Sequence, residues 1–229
     1  MKHNLLFIIC IVCFMIVTIF PASAEEIRYS DVTEKDWAYN IIMDLTNKGI
    51  LNGYMLSDGS YIFKPYEKIT RAEFVKLITI KFNVPIGFDD ISKFSFDDIQ
   101  GHWAEIYISA AQRNNLVYGK DEKGTLFYPD DYLTREEAFV LIARACVIFK
   151  NIPLPNEAEA VQIINNFSDH QFVSDWALAE TALCVKNKIV TGILEDNFLE
   201  DTSAYLLLPT FPINRSEVCK MIDAEILSS

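Results

Sequence analysis

Histidine is the scarcest chemistry-bearing residue here: three in 229 residues, of which only His102 and His170 lie beyond the N-terminal segment. There is no His-Glu-x-x-His pair, no Gly-x-Ser-x-Gly elbow and no glycine-rich phosphate loop, so common hydrolase, zinc-peptidase and nucleotide-enzyme signatures are missing. His102, next to Trp103, reads as a helix-start residue and not as a base. The acid pairs Asp89-Asp90, Asp97-Asp98 and Asp130-Asp131 lack EF-hand spacing and read as solvated loop acids instead of calcium ligands or glycosidase carboxylates. No catalytic residue, metal site or cofactor is expected.

Basic residues are the next shortage. Lys and Arg number 20 against 32 Asp and Glu. A nucleic-acid binder needs a basic stripe to neutralise phosphates, and adsorption to an anionic membrane needs the same. Both classes are excluded as general modes.

Long apolar runs are confined to one place. Met1-Lys2-His3 precedes a nearly unbroken apolar run from Leu5 to Phe20, and Pro21-Ala22-Ser23-Ala24 supplies small residues at cleavage spacing. Residues 1–24 therefore read as a secretory signal peptide cut after Ala24, with no stable membrane insertion after cleavage. A retained anchor is the competing reading and fits the small residues less well. Cleavage removes Lys2 and no acid, leaving 19 cations against 32 acids, a formal charge of −13. Three cysteines then remain: Cys146, Cys184 and Cys219. An odd number implies no disulfide framework. Cys184 and Cys219 occupy repeat positions that hold Leu45 and Ala111, or Val75 and Phe139, in the other units, so buried free thiols are expected.

What the chain does have is a stretch that occurs three times. Trp37-Ala38, Trp103-Ala104 and Trp176-Ala177 are each followed sixteen residues after the tryptophan by Gly53, Gly119 and Gly192. Each glycine leads to an arginine at the head of an apolar helical run: Thr70-Arg71-Ala72-Glu73, Thr134-Arg135-Glu136-Glu137 and Asn214-Arg215-Ser216-Glu217. The Trp-to-Arg intervals are 34, 32 and 39 residues. Fixed ends with a variable loop are the mark of duplicated helix–loop–helix units. Asp36 is the expected cap of the first helix, and Thr70-x-x-Glu73 and Thr134-x-x-Glu137 are capping boxes for second helices, with Asn214 and Glu217 an acceptable substitute. A helical turn or two is expected at Glu157–Ile164. The fold class is all-α, with short extended segments in the loops. Each unit is too small to bury its own helices, so three are expected to share one centre.

Capping explains the residues that flank the arginines but not Arg71, Arg135 and Arg215 themselves. A cation at the first helical position opposes the helix dipole by about 0.3–1 kcal/mol. Two compensating partners fit equally: an acid of the chain (Asp31, Asp98 or Asp169), or an external anion held by guanidinium and free helix N–H groups together. The tryptophans also have two readings, as core residues or as flat faces for sugar stacking. The glycines mark positive-φ turns or close backbone approach.

The residues Tyr29-Ser30-Asp31-Val32, Trp37-Ala38, Gly49-Ile50-Leu51-Asn52-Gly53, Phe63-Lys64-Pro65 and Ile69-Thr70-Arg71-Ala72-Glu73-Phe74 closely resemble the S-layer homology (SLH) domain. The second unit matches well through Phe96-Asp97-Asp98-Ile99, Phe127-Tyr128-Pro129 and Thr134–Glu137, and the third moderately. The organisation implied is a signal peptide at 1–24, SLH repeats at 25–86, 87–150 and 167–229, and a connector at 151–166. The resemblance implies a pseudo-threefold assembly whose inter-repeat grooves bind pyruvylated secondary cell-wall polysaccharide attached to peptidoglycan. It also implies a secreted, non-catalytic anchor at the cell wall or S-layer surface. Its ligand-facing residues would be Arg71, Arg135, Arg215, Trp37, Trp103 and Trp176. Asp31, Asp98 and Asp169 would stand at the groove or orient the arginines, and Gly53, Gly119 and Gly192 would give backbone access. Two departures bear on this. Glu136 adds an acid beside Arg135, and the third unit lacks the threonine and a close Phe-x-Pro. The repeats fill nearly the whole exported chain, so no separate catalytic domain is expected. The alternative is an exported structural or adaptor protein whose repeats bind a surface-protein partner.

Overall fold

The computed structural model describes residues 27–87, 96–197 and 202–227. The expected leader at 1–24 and the pair Asp89-Asp90 lie outside the described residues. The chain is mostly helical. In order it runs α1 (Tyr39–Asn47), β1 (Tyr54–Met55), β2 (Tyr61–Ile62), α2 (Arg71–Lys81), α3 (Glu105–Arg113), α4 (Arg135–Lys150), α5 (Glu157–Ile164), α6 (Leu178–Lys186), β3 (Ile193–Asn197), β4 (Thr202–Leu206) and α7 (Arg215–Ile222).

The second helix of each unit starts at a complete capping box. Thr70, Thr134 and Asn214 each accept from the backbone N–H of Glu73, Glu137 or Glu217, whose carboxylate returns the bond to the cap's own N–H. The first helices, α1, α3 and α6, begin two residues after each tryptophan and have no side-chain cap. Asp36 therefore does not cap α1. Its carboxylate instead accepts from the Thr33 N–H at 2.7 Å and hydroxyl at 2.9 Å, closing a turn that precedes the helix. The Trp-Ala dipeptide belongs to that turn and places the helix start later than the apolar spacing suggests. All three first helices end twelve residues after the tryptophan with a positive φ, at Gly49, Asn115 and Lys188. Only the first of these advertises its left-handed geometry by being glycine. In the connector, Asn156 caps α5 through the Glu159 N–H, and α5 packs on α6 around Ala160, Ile164 and Ala182.

The main helix–helix contacts run between units. The second helix of each meets the first helix of the next: α2 packs on α3, α4 on α6, and α7 closes the ring on α1. At the centre the residue before each cap joins a closed cycle of backbone hydrogen bonds. Ile69 N–H donates to the Ile213 carbonyl, Ile213 N–H to Leu133, and Leu133 N–H to Ile69, at 3.0–3.2 Å. The three side chains are buried to within 1% of full exclusion, which at about 1.5–3 kcal/mol each makes this junction a substantial part of the core. The large buried aromatics Phe63, Phe74, Phe127 and Phe139 fill the space around it.

The loops differ more than the helices. β1 and β2 form a two-residue antiparallel pair, and β3 and β4 a longer one in register Ile193↔Leu206. In the second unit Asp121 closes the turn instead, accepting from the Leu126 N–H at 2.6 Å. Cys146, Cys184 and Cys219 are free and buried. Burial pushes the Cys146 thiol up to about 11 and the Cys219 thiol to about 12.

Candidate functional site: three grooves between units

Each arginine reaches across to the next unit. The Nε of Arg71 donates to the Phe127 carbonyl at 3.0 Å, that of Arg135 to Leu207 at 2.6 Å, and that of Arg215 to Phe63 at 2.9 Å. The guanidinium of Arg71 lies 4.6 Å from the Phe127 ring centre, and that of Arg215 4.6 Å from Phe63. All three arginines are only 5–6% exposed. Burial works against the charged form of Arg71 and Arg135, and the neighbouring Glu137 and Glu217 work in its favour. Guanidinium remains protonated in proteins regardless.

The helix starts offer nothing to a ligand. The Arg71 and Ala72 N–H groups donate to the Asp131 and Pro129 carbonyls, those of Arg135 and Glu136 to Phe211 and Pro209, and those of Arg215 and Ser216 to Glu67 and Pro65. The next N–H is taken by the capping residue. An anion held jointly by guanidinium and free helix amides is therefore ruled out, because the neighbouring loop already consumes those amides. The same contacts reveal the third unit's counterpart of Phe-x-Pro, which is Leu207-Leu208-Pro209. Its central residue has a positive φ, as do Lys64 and Tyr128 in the other two.

The three aspartates stand behind these loops and line none of the grooves. Asp31 accepts from the Phe63 and Lys64 N–H groups, both at 2.7 Å. Asp98 does so from Phe127 and Tyr128 at 2.9 and 2.6 Å, and Asp169 from Leu207 and Leu208 at 2.8 and 2.7 Å. They fix the peptide whose carbonyl the arginine grips, and so act on the arginines only at one remove. The acids that do meet the arginines are the capping-box glutamates of the next unit. Arg71 lies 3.7 Å from Glu137, Arg135 2.8 Å from Glu217 and Arg215 3.5 Å from Glu73.

Three grooves result, each assembled from all three units. The first joins Gly53, Tyr54, Glu73 and Lys76 with Trp103 and Arg215, and encloses about 360 Å³. The second joins Gly119, Lys120, Glu137 and Arg144 with Arg71 and Trp176, about 320 Å³. The third joins Gly192, Ile193, Glu217 and Lys220 with Trp37 and Arg135, about 300 Å³. The tryptophans are not core residues: they are 54–55% exposed and stand at the groove walls. Trp starts each repeat's turn on the side away from the buried stripe, which one-dimensional spacing does not reveal.

The glycines are there for close approach. A Cβ on Gly53 would lie 2.2 Å from the Tyr29 ring and 2.4 Å from the Ile62 carbonyl oxygen, and one on Gly119 within 2.7 Å of the Gly124 backbone. Gly192 adds a φ of +77°. Glu136, expected to place an extra acid by Arg135, points elsewhere. Its carboxylate accepts from the Ser174 N–H and hydroxyl, each at 3.1 Å, pinning the segment that carries Trp176. His102 is a helix-start residue as expected, its Nδ1 accepting from the Ala104 N–H at 3.1 Å.

Residue-type reasoning missed several groove residues. Glu73, Glu137 and Glu217 were accounted for by capping alone. Tyr54, Lys120 and Ile193 carried one available signal, since each directly follows a repeat glycine. In Glu137, burial opposes ionisation, but Lys120, the Thr134 N–H and Arg71 outweigh it and hold the carboxyl below its ordinary value. Burial and the bond to Glu73 push the Tyr54 hydroxyl up to about 12, so it stays a donor. Among the described residues no cluster of His, Cys, Asp and Glu is arranged to hold a metal ion, and no helix is long and apolar enough to cross a membrane.

Comparison with known proteins bears on the first two units directly. Cell surface glycoprotein 1 of Acetivibrio thermocellus is 36% identical over 125 residues, covering 51% of this chain and 5% of that protein. The Cellulosome-anchoring protein of the same organism is 32% identical over 124 residues, covering 53% and 26%. The Amylopullulanase of Thermoanaerobacterium thermosulfurigenes is 28% identical over 174 residues, covering 76% and 8%. The chain thus spans a small fraction of the length of these relatives. The S-layer homology domain family matches residues 28–75 and 95–139, the segments that hold Trp37, Arg71, Trp103 and Arg135.

Proposed function

We propose that this chain is an exported, non-catalytic anchoring module that binds secondary cell-wall polysaccharide and keeps its bearer at the bacterial cell wall. We take the segment 167–229 as a third, divergent S-layer homology repeat beside those at 25–86 and 87–150. The observation that carries the reading is the threefold groove, in which a buried arginine from one unit faces a half-exposed tryptophan from another across the glycine loop of a third. A guanidinium suits a carboxylate, such as that of a pyruvate ketal on a sugar, and an exposed indole suits the apolar face of a pyranose. The surface and anchoring names of the relatives agree with that role.

A formal charge of −13 on residues 25–229 does not oppose an anionic ligand at such a site. Distributed surface charge is screened beyond about 8–10 Å at physiological salt, and a contact cation is not. Several weak grooves on one polymer also gain through multivalency.

The test is co-sedimentation of residues 25–229 with purified sacculi, before and after acid stripping of the secondary polymer. Trp176→Ala is the cleanest variant, because that side chain is half exposed and little of the core depends on it. The expected result is binding that is lost on stripping and weakened by Trp176→Ala. Undiminished sedimentation with stripped walls would sink the polysaccharide reading, and no sedimentation with intact walls would turn attention to a protein partner.

A further inference from the structure

The three grooves share a plan but differ in the residue that follows the groove glycine: Tyr54, Lys120 or Ile193. Around Arg215, that residue takes up the guanidinium. Its Nε is taken by the Phe63 carbonyl, one terminal nitrogen donates to the Tyr54 hydroxyl at 3.2 Å, and the other to the Asn52 carbonyl at 3.1 Å. The guanidinium plane is enclosed by two rings, with Phe63 at 4.6 Å and Tyr54 at 5.0 Å. The Tyr54 hydroxyl in turn donates to Glu73 at 2.7 Å, which fixes the ring in place. Two cations, Arg215 and Lys76, face two acids, Glu73 and Asp130. This groove is neutral, and its arginine is already in use.

Around Arg71 the same position does the opposite. Lys120 takes the Glu137 carboxylate at 2.8 Å and leaves Arg71 at 3.7 Å from it, outside hydrogen-bond range. Of the Arg71 guanidinium, only the Nε is hydrogen-bonded among the described residues. Arg144 lines the same groove, so three cations face one acid. Glu136 meanwhile holds the Trp176 segment in position through Ser174. Three like charges around a cavity repel one another, and a bound anion relieves that repulsion. Around Arg135, Glu217 takes the guanidinium at 2.8 Å, and Ile189, Val190, Ile193 and Met221 make an apolar wall.

We infer that the grooves are not equivalent: the Arg71–Lys120–Trp176 groove is the open anion site, and in the Arg215 groove Tyr54 already occupies the arginine. This rests on the reading that the grooves take an anionic saccharide. Tyr54 is the determinant of which grooves engage, and Lys120 the determinant of charge preference in the open one.

The chain offers a direct assay, because its three tryptophans each serve a different groove. Residues 25–229, which hold every residue of the described core, would be titrated with a monosaccharide bearing a pyruvate ketal, using its neutral methyl ester as control. The three indole N–H resonances, assigned by single Trp→Phe variants, would be followed by NMR. The Trp176 resonance is expected to move at the lowest concentration with the acid and not with the ester. Trp103 is expected to stay still in the wild type and to respond in Tyr54→Ala. Lys120→Ala should weaken the Trp176 response by about tenfold, as Glu137 then turns to neutralise Arg71. Movement of Trp103 alongside Trp176 in the wild type would overturn the inference alone. Movement of no indole would overturn the anionic-saccharide reading and the inference with it.

Discussion

Replacing Asp169 with alanine should destabilise the fold by about 3–4 kcal/mol, although the residue touches no groove. The carboxylate is only 7% exposed and accepts two short backbone bonds, from Leu207 at 2.8 Å and Leu208 at 2.7 Å. Hydrogen bonds to a charged group contribute about 1.5–3 kcal/mol each, and a buried N–H left without a partner costs about 1–3 kcal/mol. Leu207 is fully buried, so its orphaned N–H has no route to water, whereas Leu208 is partly exposed. The loop that loses its anchor also presents the Leu207 carbonyl to Arg135, so the damage extends to the joint between the second and third units. Asp31 makes the same two bonds, to Phe63 and Lys64, but is exposed. Water can replace its carboxylate, and Asp31→Ala should lose clearly less. Urea unfolding followed by far-UV circular dichroism is the suitable assay, because half-exposed tryptophans report poorly on unfolding by fluorescence. At about 2–4 °C per kcal/mol for a domain of this size, the Asp169 variant should also melt roughly 6–16 °C lower. Equal losses for the two variants, or a loss under about 1 kcal/mol for Asp169→Ala, would refute the argument that burial of this bidentate anchor sets its worth.

Gly53→Ala should cost about 2–3 kcal/mol although the backbone there has an ordinary φ, since the new Cβ meets the Tyr29 ring at 2.2 Å and a carbonyl oxygen at 2.4 Å. A loss below about 0.5 kcal/mol in urea unfolding would mean the loop relaxes freely. The Glu137 carboxyl is held below its ordinary value in the folded chain, so it contributes stability that is complete above the unfolded-state value and disappears as pH falls through the folded one. Wild type should therefore exceed Glu137→Gln in urea midpoint near pH 7, with the gap closing as pH drops below the ordinary glutamate range. A gap that persists unchanged at low pH would assign the effect to packing. Cys146, Cys184 and Cys219 should resist a thiol reagent in the native chain from residue 25 and all react in denaturant. Fast native labelling of any one of them would contradict its burial.

Much of the helical frame was legible in one dimension. The capping boxes at Thr70, Thr134 and Asn214 are local, since cap and partner lie three residues apart, and α5 forms over Glu157–Ile164, where a helical turn or two was expected. The equal spacing of tryptophan and glycine announced the repeat. The cap expected at Asp36 failed because a turn and a helix start share the same residue preferences, and only the path of the chain tells them apart. Tryptophan was ambiguous for a related reason: periodicity finds a stripe, but not whether its first residue lies inside or outside.

The sequence by itself determined where the second helices start, that a tryptophan–glycine–arginine pattern recurs three times and that an arginine heads each second helix, because those features depend on neighbours within a few residues. Tertiary structure alone decided what those arginines meet. The partners of Arg215 at Asn52, Tyr54 and Phe63 lie more than 150 positions away, and the ring that brings them together closes only when α7 packs on α1. The same closure consumes the helix amides and makes Tyr54, Lys120 and Ile193 the residues that distinguish one groove from another. Contacts between units obey the threefold geometry of the assembly, and no local pattern encodes that.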